Sequence, residues 1–202
     1  MKEKLLNYCM KTVKKSFPNH SEEQLEIIEY GLEGIYLTFT KIVILTLLAL
    51  ILGIFKKTLL LLIFYNVIRF SAFGLHAKKS SHCLIISLSL FVGGVYICDY
   101  LYIPIVIKAI ISIICILLIA KYAPADTEKR PLVNKKKRKR YKIISLLSSM
   151  IFAILIIVLD NQIISNYLLI GMLEAVIMIL PITYRMLDLP YDNYKNYNLN
   201  EV

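Results

Sequence analysis

The segment Arg69-Phe-Ser-Ala-Phe-Gly-Leu-His76-Ala-Lys-Lys-Ser-Ser-His82-Cys83 gathers one thiol, two imidazoles and one guanidinium at the edge between two apolar stretches. A thiolate is a competent nucleophile, but a free thiol titrates near pH 8.5 (about) and needs assistance at neutral pH. Two sources of assistance are legible. Ser80 can cap a helix beginning there, which puts Cys83 at the third helical position, where unpaired N–H groups and the positive end of the dipole lower a thiol pKa. A neutral imidazole can then accept the proton as general base. On one straight helix His76 and Cys83 would stand about 10.5 Å apart along the axis, whereas proton transfer needs about 2.6–3.2 Å or one bridging water. The chain must therefore fold back between them, and the polar run Lys78-Lys79-Ser80-Ser81 suits that. His82 adjoins Cys83 in sequence, but neighbours on a helix do not face each other, so His76 is the better base. Spacing alone leaves the plainer alternative open: an interfacial thiol beside a solvated imidazole. Zinc held by His76, His82 and Cys83 lacks a nearby fourth ligand, so neither metal nor cofactor is expected.

The elements that must position these residues are apolar. The chain has 202 residues, 58% of them hydrophobic and 19% charged, with a net charge of +10 and a mean hydropathy of +0.66. Such a composition excludes a disordered chain and a disulfide miniprotein. Its basic residues lie between apolar runs, which speaks for membrane topology and against nucleic acid as a partner. Cys9, Cys83, Cys98 and Cys115 show no paired metal-ligand spacing, and Cys98 and Cys115, inside apolar runs, read as inert buried thiols.

Leu6, Met10, Val13 and Phe17 form a helical stripe opposite Lys4, Lys11, Lys14 and Lys15, the pattern of a helix lying on an anionic leaflet. Pro18-Asn19 ends it. Ser21 with Gln24 reads as a capping box opening an acidic helix through about Glu33. Six apolar stretches follow, at about 35–55, 58–75, 83–101, 104–122, 141–159 and 163–184. A span needs about 20 residues, and the second stretch, interrupted by Arg69, reads as short, tilted or partly re-entrant. The fold expected is all-α: a polytopic membrane protein of six transmembrane helices in one domain, with N-terminal amphipathic helices at 1–34, a core at 35–184 and a cytoplasmic tail at 185–202. Counting Lys and Arg in the loops puts both termini and the His76–Cys83 loop in the cytoplasm, with Lys56-Lys57 dissenting.

Three sets of residues here resemble the AgrB family, the membrane cysteine endopeptidases of Gram-positive quorum sensing. The first is Arg69 with Gly74-Leu75-His76-Ala77 and Ser80-Ser81-x-Cys83. The second is Tyr122-Ala123-Pro124-Ala125-Asp126-Thr127 followed by Arg130-Pro131 and a dense basic run. The third is Glu174-Ala175 followed by Leu180-Pro181. The resemblance implies a catalytic pair, His76 and Cys83, in a cell-membrane enzyme that cleaves an AgrD-like propeptide through an acyl-thioester on Cys83. An internal Cys or Ser of the peptide would then close a thiolactone or lactone ring. An oriented intramolecular nucleophile can outcompete water in such a step.

Lys41, Arg69 and Glu174 fall in or near apolar spans, where an unpaired charge costs about 2.5–3.5 kcal/mol on insertion scales. Glu174 is therefore expected to pair with Lys41 or Arg69, with substrate contact as a compatible role for all three. Arg69, Gly74, Ser80 and Ser81 are candidate supporting residues. Lys135, Lys136, Lys137, Arg138, Lys139 and Arg140 read first as a topology determinant, and secondly as a capture patch for the acidic C-terminal segment that the family's substrates carry. The competing function is a small transporter or pore with Lys41, Arg69 and Glu174 along a polar path, disfavoured by the lack of repeat symmetry. The partners expected are the propeptide and the lipid bilayer, and a homodimer is compatible with the sequence.

Overall fold

The computed structural model describes residues 2–17, 21–75, 80–127 and 131–196. Its chain divides into two compact units, Met1–Ile51 and Leu52–Val202. The first holds α1 (Lys2–Ser16) and α2 (Glu22–Ile51). Leu6 and Met10 of the α1 stripe are buried. The capping box forms as its residues require: Ser21 N–H donates to Gln24 Oε1 at 3.0 Å and Gln24 N–H to Ser21 Oγ at 3.3 Å. Pro18 and Asn19, expected to break the chain between the helices, lie outside the described residues. The acidic stretch and the first apolar stretch are one continuous helix of 30 residues. Nothing between Glu33 and Ile35 breaks it, because a lone glycine such as Gly34 costs a helix only about 1 kcal/mol.

The second unit contains α3 (Phe55–Ala72), α4 (Ser80–Tyr100), α5 (Ile105–Tyr122), α6 (Lys135–Val158), α7 (Gln162–Ile177) and the short α8 (Pro181–Met186). Helix α7 is its centre, packed against α3, α4, α5 and α6. Residues 165–172 of α7 are all buried, as expected for a helix apolar on every side. Gly171 makes the α3 contact close: a Cβ there would lie 3.0 Å from Tyr65 N and 3.1 Å from Phe64 Cβ.

Among the described residues four helices, α2, α4, α5 and α6, are long and apolar enough to cross a membrane. Of the six stretches expected, the second forms α3, an unbroken helix of 18 residues carrying Lys56, Lys57 and Arg69. The sixth ends early. Helix α7 has 16 residues, and Thr183 Oγ1 donates to Ile177 O at 2.7 Å where the chain turns into Pro181. Proline cannot continue a helix. Wrapped by its neighbours, α7 does not need the length of a lipid-facing span. The helices fit an all-α, multi-pass membrane protein.

At the end of the bundle remote from Cys83, polar side chains tie the helices together. Lys57 Nζ meets Asp99 Oδ2 at 2.6 Å and Tyr167 donates to Asp99 Oδ1 at 3.0 Å. Asn166 donates to the Cys98 and Leu101 carbonyls at 2.9 Å. The buried Lys108 donates to Ser165 Oγ at 2.9 Å.

Candidate active site

Helix α4 begins at Ser80, so Cys83 is its fourth residue and closes the first turn, next to N–H groups that have no partner within the helix. Ser80 and Ser81 thus belong to α4 and not to the connection, one position further into the helix than a Ser80 cap would give. Cys83 is half-buried and free of any disulfide. The expected base, His76, lies outside the described residues with Ala77, Lys78 and Lys79, as do the side chains of Ser80, Ser81 and His82.

What the structure does describe is how the chain is delivered to His76. Phe73 and Gly74 have positive φ, 58° and 112°. Gly74 N–H donates to Ala125 O at 2.8 Å, Ala125 N–H to Ala72 O at 3.0 Å, and Leu75 N–H to Met178 O at 3.0 Å. Phe73 and Ala125 thereby form a parallel β-bridge. Arg69 Nη2 closes the turn by donating to Leu75 O at 2.5 Å. Gly74 is required twice over. Its φ suits only glycine, and a Cβ would collide with Arg69 Nη1 and sit 2.5 Å from Met178 O. Arg69 and Gly74 are thus one device, holding the residue before His76 against both Ala125 and the end of α7.

The Tyr-Ala-Pro-Ala-Asp-Thr stretch is the other half of that device. The Ala123–Pro124 bond is cis. Asp126 is buried and its carboxylate accepts from Leu132 N–H at 3.2 Å, Asn193 N–H at 3.0 Å and Tyr194 N–H at 2.8 Å. Its carbonyl accepts from Tyr184 Oη at 3.0 Å. One aspartate therefore joins the segment before α6 and the C-terminal stretch to the extended segment that carries Ala125.

Tyr65, one turn before Arg69 on α3, was not singled out by the sequence. Its phenol interacts electrostatically with Arg69, Glu174 and Cys83 together, and its ring stacks edge-on against Phe91 of α4 at 5.2 Å. An aromatic residue four positions before the only arginine of an apolar stretch is the signal that could have found it.

The expected Glu174–Arg69 pair does not form. Arg69 turns toward Leu75 O, and among the described residues its buried Nη1 has no partner, nor has Glu174 Oε2. Glu174 is 4% exposed and packs against Gly94, whose Cβ would come within 2.5 Å of Glu174 Oε1. Gly94 stands eleven residues, about 16.5 Å, along α4 from Cys83. Glu174 therefore sits deeper than the thiol, while the Arg69 guanidinium is bonded to Leu75 O beside the end of α7. Lys41 belongs to α2, in the other unit.

The basic run is helical, forming the first turns of α6 after Asn134, whose Oδ1 accepts from Lys137 N–H at 3.1 Å. Lys135, Arg138 and Lys139 line a groove of about 600 Å³ with Lys121, Lys142, Tyr122, Pro124, Tyr191 and Tyr194. Lys136, Lys137 and Arg140 do not line it. Burial, reinforced by Asp192, pushes the Tyr191 phenol well above its usual range, so it stays a neutral donor facing Tyr122 O at 3.5 Å.

The family model for accessory gene regulator B matches residues 3–179, a span that holds every one of the residues above up to Met178. An AgrB-like protein of Clostridium acetobutylicum is 36% identical over 174 residues, covering 85% of this chain and 83% of that relative. One from Listeria innocua is 32% identical over 178 residues, covering 87% and 86%. Accessory gene regulator protein B of Staphylococcus aureus is 33% identical over 159 residues, covering 78% and 83%. No solved structure matches. With its whole helical core inside the matched span, this chain belongs to the accessory gene regulator B family.

Proposed function

We propose that this protein is the membrane cysteine endopeptidase of an agr quorum-sensing system, cleaving an AgrD-like propeptide. The observation that carries the reading is the placement of Cys83, a free and half-buried thiol in the first turn of α4. Ahead of it, the chain entering His76 is bonded on both sides. Family membership supports the quorum-sensing role.

In this reading His76 takes the Cys83 proton and the sulfur bonds to the scissile carbonyl carbon. The C–N bond breaks, and the amine leaves with the proton returned by the imidazolium. The peptide's N-terminal part stays as an acyl-thioester on Cys83. An internal thiol or hydroxyl of the peptide then gives its proton to His76 and bonds to the thioester carbon, the bond to Cys83 breaks, and the thiolate is restored as the ring closes. Arg69 and Gly74 position His76 through Leu75. Glu174, 4% exposed, supplies a buried carboxylate on α7.

Both termini and the His76–Cys83 loop face the cytoplasm, in the cell membrane, with the basic run on the same side. Cations of that run recruit the acidic tail of the propeptide. The test is mass spectrometry of a co-expressed propeptide. Cys83→Ala and His76→Ala abolish cleavage in protein that still inserts, and His82→Ala leaves it intact; full cleavage by Cys83→Ala protein would overturn the reading.

A further inference from the structure

The basic run is not one patch. At about 100° per residue on a helix, Lys135, Arg138, Lys139 and Lys142 share one face of α6, and Lys136, Lys137 and Arg140 share the opposite one. The second face continues along the helix into the exposed apolar residues Ile143, Leu147, Ile151 and Ile154, the side a membrane helix turns to lipid. The first face continues into Ser145, Ser149, Phe152 and Ile156, all buried. The groove therefore opens over the protein interior and not over the bilayer.

Its lining is built for an anion. Five cations, Lys121, Lys135, Arg138, Lys139 and Lys142, surround it with a single carboxylate, Asp192. That carboxylate is engaged by Lys195 Nζ at 2.5 Å. Among the described residues none of the five cations has a carboxylate partner. Arg138 stacks its guanidinium 3.2 Å from the centre of the Tyr194 ring, which fixes it, while its Nε is buried and has no partner among the described residues. Cations in the first turns of α6 also oppose their own helix dipole, an unfavourable placement that an anion would reverse. The volume falls within the range of about 300–1,000 Å³ usual for ligand sites.

The groove is also joined to the candidate active site. Ala123 and Pro124 form part of its wall, and the next residue, Ala125, is bonded to Ala72 and Gly74. One short extended segment thus has the groove at one end and the entry to His76 at the other. A lipid headgroup would be expected over the opposite face, above the apolar stripe.

We propose that this groove is the subsite for a short acidic segment of the peptide substrate, read by Lys121, Lys135, Arg138, Lys139 and Lys142, and that Lys136, Lys137 and Arg140 take no part in it. The proposal rests on the reading that the chain acts on a peptide at Cys83. It separates a sequence-continuous run into three groove cations and three that face the leaflet, and adds two cations from outside the run.

The test measures binding and not cleavage. Full-length Cys83→Ala protein in phosphatidylcholine nanodiscs is titrated with a fluorescein-labelled hexaglutamate peptide and read by anisotropy. Two triple variants remove the same charge: Lys135→Gln/Lys139→Gln/Lys142→Gln, and Lys136→Gln/Lys137→Gln/Arg140→Gln. The first is expected to weaken binding tenfold or more and to flatten its salt dependence, the second to change it less than threefold. Thermal unfolding of both checks that the exposed substitutions leave the fold intact. Equal weakening by the two triples would overturn the proposal, since the run would then act by net charge alone. So would displacement of the peptide from both the wild-type protein and the second triple by short-chain phosphatidylglycerol, which would make it a headgroup site. Because no cleavage is read, an intact protein that binds the peptide but never cuts a propeptide sinks the protease reading and leaves the groove standing.

Discussion

Gly74 and Arg69 show how much of this site rests on two side-chain choices. A non-glycine residue at φ 112° costs about 1–3 kcal/mol, and here it must also displace Arg69 Nη1. Gly74→Ala is therefore expected to abolish propeptide cleavage while circular dichroism reports an unchanged helix content, because the damage is confined to the turn before His76. Cleavage retained at the wild-type rate would separate the turn from the chemistry. Arg69→Lys should not restore what Arg69→Ala loses. A compact ammonium cannot bond Leu75 O and lie flat over Gly74 at once, and a cleavage assay of the two variants side by side decides it.

Between elements, the contacts that matter are the α3–α7 face and the Asp126 knot. Gly171 lets the α3 backbone approach to 3.0 Å of where its Cβ would be, so Gly171→Leu must push α3 and Tyr65 outward. Overpacking of this kind costs about 1–3 kcal/mol, and a matching drop in the detergent unfolding midpoint is expected; an unchanged midpoint would mean that the helices are not held this closely. Asp126 satisfies three backbone N–H groups from two separate segments. Asp126→Ala leaves those donors buried without an acceptor, a loss on the order of 3 kcal/mol. Limited proteolysis should then cut within the C-terminal stretch around Tyr194 before the helices are attacked.

For the molecule as a whole, charge and apolar surface together define an axis. The end with Cys83 carries the groove and the basic run, and the opposite end is bound by Lys57–Asp99, Asn166 and Lys108. Lys56-Lys57, the exception to the charge asymmetry, is half explained: Lys57 is held by Asp99, which also raises its pKa through their hydrogen bond. If the basic end faces the cytoplasm, a cysteine placed at Lys137 in a cysteine-free background stays unlabelled by an impermeant thiol reagent in intact cells. One placed at Asp160, in the turn before α7, is labelled. The reverse pattern would invert the topology.

Hydropathy and local chemistry were enough to determine the all-α class, the start of α2 at its capping box, and the limits of α4 and α5 within a few residues. Each depends on neighbours in sequence: an apolar run, a Ser paired with a Gln three positions on, a proline. The same local rules misjudged the joints. They divided α2 at Glu33, where charge changes but no residue breaks the helix, and extended the sixth stretch past Ile177, where Pro181 and Thr183 end it. The candidate residues Arg69, Gly74 and Cys83 were visible as types and spacings, but their partners were not. Arg69 was expected to seek the opposite charge of Glu174, the nearest solution on a charge map. The folded chain offers it Leu75 O instead, because Gly74 leaves room for a guanidinium where any side chain would exclude it. Likewise a run of six basic residues reads as one patch until helix α6 packs on α5. Only then does its period of about 3.6 residues per turn send half of it over the lipid-facing stripe. The other half meets Lys121, Lys142 and Tyr194, brought there by segments 14 or more residues away in sequence in two of the three cases. Which cations share a cavity is a property of packing, and no local pattern contains it.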